Sequence, residues 1–426
     1  MLSQAKPSAF QVRMGLGLLA AIMLLNQMDR FVLSVLAQPI IKDLHLTDTQ
    51  FGLLTGLAFA IFYGLCGLPL ARLADRGHRP NLLAICLVVW TLATTVSGMV
   101  INFGQLLAAR IVMAAGEAGT QPAAHTLIAD YVPPERRTSA FAIVAAGGSL
   151  GGMLALVLGG LLEHLVGWRW TIILFGLVGI PVALATRLWL FEPRGGGRSI
   201  APPKESLWGA GVVLLRSRVY RWQVASVVFC LLPIYAVAAW APAFFARSHG
   251  LSVRQVGLWL GLITGLASFA GQALTSYLTH RAQRGGPGAI MIVPMVSIAL
   301  SGPAFALSFL SPTPILAFCL YVLPQMLGIM WYSPVFASIQ TTTPSHLRAQ
   351  AAALTLLFGN LFAIAVGPTV SGILSDLLKP HFGVESLRYA LLAVANLSIL
   401  GAVASFMAGR AMRDAASDSS QTREAI

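Results

Sequence analysis

The stretch Ala71-Arg72-Leu73-Ala74-Asp75-Arg76-Gly77-His78-Arg79-Pro80 places four basic residues and one carboxylate between two long apolar runs. Each run, near residues 50–71 and 81–101, is long enough to cross the hydrocarbon core of a bilayer as a helix. A short charged turn between two such runs marks the point where a helical hairpin returns to water. Because basic residues collect in cytoplasmic loops, the turn also predicts which side of the membrane it faces.

The rest of the chain repeats this apolar pattern. It is 57% hydrophobic and 10% charged over 426 residues, whereas about a quarter of an ordinary soluble domain is charged. The twelve apolar runs lie near residues 15–39, 50–71, 81–101, 104–130, 138–163, 169–191, 221–245, 255–278, 288–309, 313–340, 347–377 and 386–409. The first is too long for a cleaved signal peptide. The sequence therefore predicts an all-α integral membrane protein with twelve transmembrane helices.

The net charge of +13 comes from basic residues in short turns, not from a basic domain, which argues against a nucleic-acid partner. With a cytoplasmic N-terminus, most of the 28 lysines and arginines fall on the cytoplasmic side. We therefore expect both termini in the cytoplasm and a bacterial-type inner membrane. We also expect a monomer whose partners are membrane lipids and a transported substrate.

An internal repeat divides the chain into two halves, because residues 46–79 align without a gap to residues 251–284. The recurring positions are Leu46, Gln50, Gly52, Leu53, Gly56, Leu57, Leu73, Arg76 and Arg79, and their counterparts are Leu251, Gln255, Gly257, Leu258, Gly261, Leu262, Leu278, Arg281 and Arg284. We expect two pseudo-symmetric six-helix bundles, 1–191 and 221–426, with a site between them and a cytoplasmic linker at 192–220.

Several residue patterns argue against an enzyme. Gly147-Gly148-Ser149-Leu150-Gly151 fits the hydrolase pattern G-x-S-x-G, but it lies inside an apolar helix and not after a strand. We interpret Gly148 and Gly152 as a helix-packing pair. The four cysteines all lie in apolar runs, so neither a disulfide framework nor a metal site is predicted. No cofactor is expected other than a proton as coupling ion.

The charged turn resembles the signature loop of the major facilitator superfamily, with Asp75, Arg76 and Arg79 at the expected positions. Further stretches resemble its spinster-like branch, whose characterised members move lysophospholipids and sphingolipid-type amphiphiles. They are residues 26–31, Arg110 with Glu117-Ala118-Gly119, and residues 129–137, 240–242 and 247–252. The resemblance implies the two-bundle fold. The fifth helix lacks the Gly-Pro pair of the antiporter motif, which weakens an inference of antiport.

Four ionisable residues lie inside predicted transmembrane helices, namely Asp29, Arg30, Arg110 and Glu117. Such charges are costly in a bilayer, so their first interpretation is functional. We hypothesise that Asp29 and Glu117 compete for Arg110 and that protonating one carboxylate releases the pairing. Burial and a nearby guanidinium have opposite effects on the proton affinity of a carboxylate, so such a site can respond near neutral pH. The alternative is a static ionic lock.

Two further sets of residues are candidates. The resemblance assigns Asp75, Arg76 and Arg79 to gating between access states, although they are also explained as charges that only set topology. The substrate-cavity candidates, each with packing as the alternative, are His125, Tyr235, Trp240, Trp331, Tyr332 and Asn360.

Three functions stay open. The first is a proton-coupled transporter of lysophospholipids or related amphiphiles working by alternating access. The second is a proton symporter of small organic anions such as aromatic or sugar acids, since Arg110 suits a carboxylate equally well. The third is a non-transporting membrane receptor. The aromatic second half and the branch resemblance favour the first.

Overall fold

The structure is a computed structural model that describes residues 8–193 and 207–424. Throughout these ranges the regular elements are helices, which confirms the predicted all-α class. The contacts divide the chain into two compact units, Met1–Pro202 with Ala241–Gly265, and Pro203–Trp240 with Leu266–Ile426. Ala241–Gly265 therefore packs with the first unit although it belongs to the second half of the sequence. The domain bounds at 191 and 221 stay a prediction.

The first unit is built mainly from the helices of the first half. They are α1 (Ala9–Val35), α2 (Ala37–Asp43), α3 (Asp48–Thr55), α4 (Leu57–Arg76), α5 (Arg79–Ser97), α6 (Phe103–Glu117), α7 (Thr120–Tyr131) and α8 (Arg137–Trp189). α8 is two helices joined at Gly167, whose φ of 78° and ψ of 167° interrupt the helical backbone. A positive φ favours glycine, so Gly167 is the residue that separates the predicted fifth and sixth crossings.

The remaining helices follow a linker whose residues 194–206 lie outside the described ranges. They are α9 (Leu207–Arg216), α10 (Arg218–His249), α11 (Val253–Gln283), α12 (Ile292–Phe309), α13 (Pro314–Gly328), α14 (Tyr332–Thr342), α15 (Arg348–Phe382), α16 (Ser386–Asn396) and α17 (Ser398–Glu424). The predicted fourth and tenth crossings are interrupted, at Ala118-Gly119 and at Ile329-Met330-Trp331. Taken with the bend in α8, these helices correspond to the twelve predicted crossings.

The internal repeat is visible as one feature of local structure. At the start of α3, the Thr47 hydroxyl accepts from the Gln50 N–H while the Gln50 side chain accepts from the Thr47 N–H. At the start of α11, Ser252 and Gln255 exchange the same two hydrogen bonds. A capping box satisfies backbone N–H groups that have no partner within the helix. The repeated Gln50 and Gln255 therefore mark two equivalent helix starts.

Glycines allow α1 to lie directly against the first part of α8. A Cβ added at Gly147 or Gly151 would overlap the backbone carbonyls of Ala20 and Leu24, whereas one at Gly148 or Gly152 would lie 3.3 Å from the side chains of Gln27 and Phe31. Small residues at helix interfaces permit this approach in a bilayer. The predicted pair Gly148 and Gly152 thus faces α1, but Gly147 and Gly151 make the closest contact. All four cysteines are unbridged.

Replacing Gly151 tests this contact. We expect Gly151→Ala to lower the yield of folded protein and its thermal midpoint, because a methyl group would push α1 away at a typical cost of about 1–3 kcal/mol. The matched control is Gly17→Ala in α1, where an added Cβ meets nothing within 4 Å. Scanning fluorimetry and gel filtration report both variants. Equal midpoints for Gly151→Ala and Gly17→Ala would contradict the contact.

Candidate functional site

The four charged residues predicted inside transmembrane helices lie together in the first unit. α1 contributes Asp29 and Arg30, and α6 contributes Arg110 and Glu117. Asp29, Arg110 and Glu117 are buried, with 5%, 4% and 0% of their surface exposed. We call these four residues the central charge cluster. Its two guanidiniums and two carboxylates balance in formal charge, as expected for ionisable groups withdrawn from water.

The ion pair in the cluster differs from the hypothesised one. Arg30 Nε donates to Glu117 Oε1 at 2.8 Å, and Arg30 Nη2 forms a salt bridge with the same oxygen. Glu117 is therefore paired with Arg30 and not with Arg110. Arg110 and Glu117 lie about 10 Å apart along one helix axis, so a partner from α1 reaches the carboxylate more directly. Glu117 ends α6, and the Thr120 hydroxyl donates to its backbone carbonyl at 2.6 Å.

Arg110 has unused hydrogen-bonding capacity. Its Nη1 donates to the sulfur of Met113 at 3.2 Å, while its Nε has no hydrogen-bond partner among the described residues. Glu117 Oε2 is likewise buried without one. A thioether is a weak acceptor, so Arg110 retains donors for an anionic group. An orphaned buried polar atom costs about 1–3 kcal/mol, which makes such atoms candidate contacts for a ligand or water.

An aromatic ring that sequence reasoning did not identify lies between the two arginines. The Cζ atoms of Arg30 and Arg110 are 4.9 Å and 5.1 Å from the centroid of Phe59, and Arg30 is 5.4 Å from that of Tyr63. Cation–π contacts stabilise a guanidinium that lacks water. Phe59 lies in an apolar run without any distinguishing pattern, so only its position in the fold reveals this role.

Asp29 interacts electrostatically with both Arg110 and Glu117, and Thr94 and Trp90 of α5 flank its carboxylate. It therefore faces one attractive and one repulsive charge. The two carboxylates and two guanidiniums of the cluster therefore act on one another within one buried group of side chains.

Arg79, which the resemblance assigns to gating, lies in a buried ion network. Its side chain is fully buried, Nη1 forms a 2.6 Å ion pair with Asp130, and both Nε and Nη2 bond to the Glu192 carboxylate. The Arg79 backbone N–H also donates to Glu192 at 3.0 Å. Arg79 thus joins the start of α5 to the end of α7 and to the segment after α8. It therefore acts as a brace within the first unit, and its gating role stays a prediction.

Asp75 and Arg76 are exposed and make no ion pair among the residues that the structure describes, so their gating role stays a prediction. The sequence did not identify Glu192 as the partner of Arg79, because the predicted linker begins at residue 192. Tyr131, beside this brace, donates its hydroxyl to the Phe191 carbonyl at 2.6 Å.

A second ion pair that the sequence did not predict lies near the start of α3. Arg247 Nη1 and Nη2 each bond to one Asp48 oxygen at 2.6 Å, and both side chains are largely buried. Arg247 belongs to the second half of the sequence, in the part of α10 that packs with the first unit. The bidentate geometry makes this a strong, oriented contact between the two sequence halves.

The aromatic candidates in the second unit fall into two groups. Trp240 is fully buried and donates to the Pro368 carbonyl at 2.9 Å, and Trp331 lies in the hydrophobic core. These two are packing residues, which corrects the prediction that they line a cavity. Tyr235 and Asn360 are only partly buried, and the Tyr235 hydroxyl donates to Asn360 Oδ1 at 3.0 Å. Tyr332 is 49% exposed, and its ring lies tilted against that of Phe336 with centroids 4.8 Å apart.

His125 lies in α7 in the first unit. It is exposed and packs edge-on against Phe141 of α8, with ring centroids 5.3 Å apart. The assignment of His125, Tyr235, Tyr332 and Asn360 to a substrate cavity stays a prediction. Among the described residues no cluster of three or more His, Cys, Asp or Glu side chains suits a metal ion.

Comparison with known proteins identifies the family. The family model of the Major Facilitator Superfamily matches residues 19–368. The chain belongs to the major facilitator superfamily. It is 34% identical over 403 residues to an MFS-type efflux pump of Mycolicibacterium smegmatis, covering 93% of this chain and 92% of that protein. It is 24% identical over 401 residues to a probable L-galactonate transporter of Escherichia coli, with 89% and 85% covered.

A solved structure shows which branch of the superfamily this chain resembles. The crystal structure of a bacterial homologue of the human lysosomal transporter spinster, inward-facing and unoccupied, superposes with a TM-score of 0.86 at 25% identity. The match covers 96% of this chain and 99% of that chain. The predicted superfamily, its spinster-like branch and the twelve-helix fold are therefore confirmed. The chain is a transporter-family protein and not an enzyme, also as predicted.

Substitutions at Glu192 and Arg79 test whether the Arg79 brace stabilises the protein. We expect Glu192→Gln and Arg79→Lys each to lower the thermal midpoint strongly, because breaking a buried ion pair typically costs about 3–5 kcal/mol. The matched control is Arg76→Gln in the same turn, which changes an exposed arginine. Scanning fluorimetry on purified protein measures the shifts. A midpoint for Glu192→Gln as high as that of Arg76→Gln would show that the brace contributes nothing.

Proposed function

We propose that this protein is a proton-coupled secondary transporter of lysophospholipids or related amphiphiles, working by alternating access. The observation that carries the proposal is the central charge cluster, in which Arg30 binds Glu117 while Arg110 and Asp29 lie beside them. A buried ionic group is weak as a source of stability, since apolar residues of similar volume often stabilise a core better. Its retention in a lipid-surrounded bundle therefore favours a functional role.

The cluster suggests how a proton acts. When Glu117 takes up a proton, the attraction between its carboxylate and Arg30 falls. Asp29 then becomes the remaining carboxylate for two guanidiniums, so the cluster carries one excess positive charge. That excess charge favours a rearrangement of α1 against α6, and this change biases the transporter between its two access states.

Two features support substrate binding, each considered within its own unit. In the first unit, Arg110 offers a donor to a phosphate or carboxylate head group. In the second unit, the exposed face of Tyr332 offers an aromatic surface to an apolar chain. The basic residues around the 71–80 turn support cytoplasmic termini and a bacterial-type inner membrane.

The second candidate is a proton symporter of small organic anions. Arg110 suits a carboxylate, and one relative is a probable L-galactonate transporter. The two candidates differ in what the second unit must provide, since a sugar acid needs hydrogen bonds and an amphiphile needs apolar surface. A binding screen of lysophospholipids against aromatic and sugar acids, followed by flux at two pH values, separates them.

Neutralising Glu117 tests proton coupling. Glu117→Gln keeps the shape of the side chain but cannot titrate, so we expect uphill transport driven by a pH gradient to fall to background. Exchange of substrate at equal pH should continue, because exchange needs no net proton movement. Both are measured as flux into proteoliposomes, with the ligand that the screen selects. Glu163→Gln, the same change in a partly exposed residue of α8, serves as the control.

A static ionic lock predicts another pattern. Glu117→Gln would then lower the amount of folded protein and reduce both kinds of flux together. Gradient-driven transport at the wild-type level would remove Glu117 from the coupling mechanism. Wild-type protein that binds its ligand without any flux would favour the receptor interpretation instead.

Shortening Tyr332 tests the substrate class. For an amphiphile, we expect Tyr332→Ala to weaken binding of long-chain lysophospholipids several-fold and of short-chain ones less, because lost apolar contact scales with buried area. The matched control is Tyr389→Ala in α16, which removes a tyrosine of the second unit whose ring lies tilted against that of Phe382. Affinity is measured by titration in detergent. Tight binding of sugar acids with no dependence on chain length would favour the second candidate.

A further inference from the structure

The short helix α9 exposes an apolar surface that its own unit does not cover. Its Leu214 is buried, and an added Cβ at Gly211 would lie 3.6 Å from Leu354 of α15. The residues around this contact point outward, with Val212, Val213 and Leu215 exposed by 44%, 51% and 41%. Three exposed aliphatic side chains on a ten-residue helix are unfavourable in water. They suit a helix that lies partly in an apolar medium.

The depth of α9 is set by its contact with a membrane-crossing helix. α15 begins at Arg348, so Leu354 lies six residues, about 9 Å, along its axis. α9 therefore packs beside the first two turns of α15, not beyond its end. In a bilayer this is the level of the boundary between head groups and acyl chains, where amphipathic helices insert their apolar side chains by about 5–10 Å.

Basic residues surround the apolar surface on the same side. Arg216, Arg218, Arg221 and Arg348 are all exposed. Arg221 donates to the Leu215 carbonyl and Arg348 to the Thr343 carbonyl, but none of the four forms an ion pair with a carboxylate among the described residues. Guanidiniums at head-group level without carboxylate partners are suited to phosphate, which they bind through parallel N–H groups.

We propose that α9 and these four arginines form a binding site for anionic phospholipids at the membrane surface. Val212, Val213 and Leu215 insert among the acyl chains, and the arginines bind the phosphates of lipids such as phosphatidylglycerol. The charge complementarity identifies the occupant as an anionic lipid, because each arginine near an anionic surface adds attraction that a zwitterionic lipid does not provide. The inference rests on the structure of the second unit and not on the transported substrate.

Lipid retention by the full-length protein tests the site. Protein purified in detergent is mixed with phosphatidylglycerol or phosphatidylcholine, and native mass spectrometry counts the lipids that remain bound. We expect wild-type protein to retain phosphatidylglycerol preferentially. The triple variant Arg216→Gln, Arg218→Gln, Arg221→Gln should lose about tenfold in apparent affinity for that lipid, with little change for phosphatidylcholine.

A charge-matched variant separates a site from a general electrostatic attraction. Arg281→Gln, Arg284→Gln and Arg413→Gln remove three exposed arginines from other helix ends of the same unit. This control should retain phosphatidylglycerol as the wild type does. Equal loss in both triple variants would overturn the proposal, because it would show only the effect of net charge.

A third variant tests insertion separately from charge. Val212→Ser, Val213→Ser and Leu215→Ser keep every arginine, and we expect this variant also to retain less phosphatidylglycerol. Inorganic phosphate at millimolar concentration should displace little lipid from the wild type. Full displacement by free phosphate, or undiminished lipid retention by the serine variant, would overturn the membrane-surface site. Thermal midpoints confirm that each variant is folded before lipid is added.

Discussion

A buried charge in a bundle surrounded by lipid requires an opposite charge nearby, and the first unit is arranged around this requirement. Arg30 reaches from α1 to Glu117 at the end of α6, and Arg79 binds both Asp130 and Glu192. Each pair fixes the relative position of helices that are distant in sequence. Removing one partner would leave an uncompensated charge in an environment that cannot solvate it. The two groups differ in completeness: the Arg79 brace is fully bonded, while the central charge cluster retains orphaned atoms.

This difference distinguishes an ion network that holds helices together from one that can change its pairing. Arg79 uses its backbone N–H and three side-chain nitrogens on two carboxylates, so it has a single satisfied arrangement. Among the residues that the structure describes, the one hydrogen-bond acceptor of Arg110 is a thioether, and Glu117 uses one of its two oxygens. A group with unused donors and acceptors has more than one arrangement of similar energy. Such a group can respond to a proton or a substrate, whereas a saturated network resists change.

Close packing of α1 against α8 fixes the position of α1, which carries Asp29 and Arg30 of the central charge cluster. Gly147 and Gly151 let the backbone of α1 lie against α8 at Leu24 and Ala20, five and nine residues before Asp29. The two copies of the internal repeat agree better in the hydrogen bonds at their helix starts than in their charged residues. Both copies keep the capping box, at Thr47 and at Ser252, but His280 stands where the first copy has Asp75, and Arg284 is exposed where Arg79 is buried. The second unit instead bonds serine, glutamine and tyrosine side chains in its core, as in the Ser226–Ser405 contact.

The sequence alone determined the helical class, the twelve crossings and the superfamily, because membrane thickness and the need to satisfy every backbone group leave few alternatives. It also identified Asp29, Arg30, Arg110 and Glu117, since charges stand out in apolar runs. It did not determine pairing. Arg30 and not Arg110 binds Glu117, Glu192 binds Arg79, and Trp240 packs in the core. Those outcomes depend on which helices are neighbours and on how they are shifted along their axes relative to one another. Only the tertiary structure decides this, through close contacts at glycines and through bends in the helices.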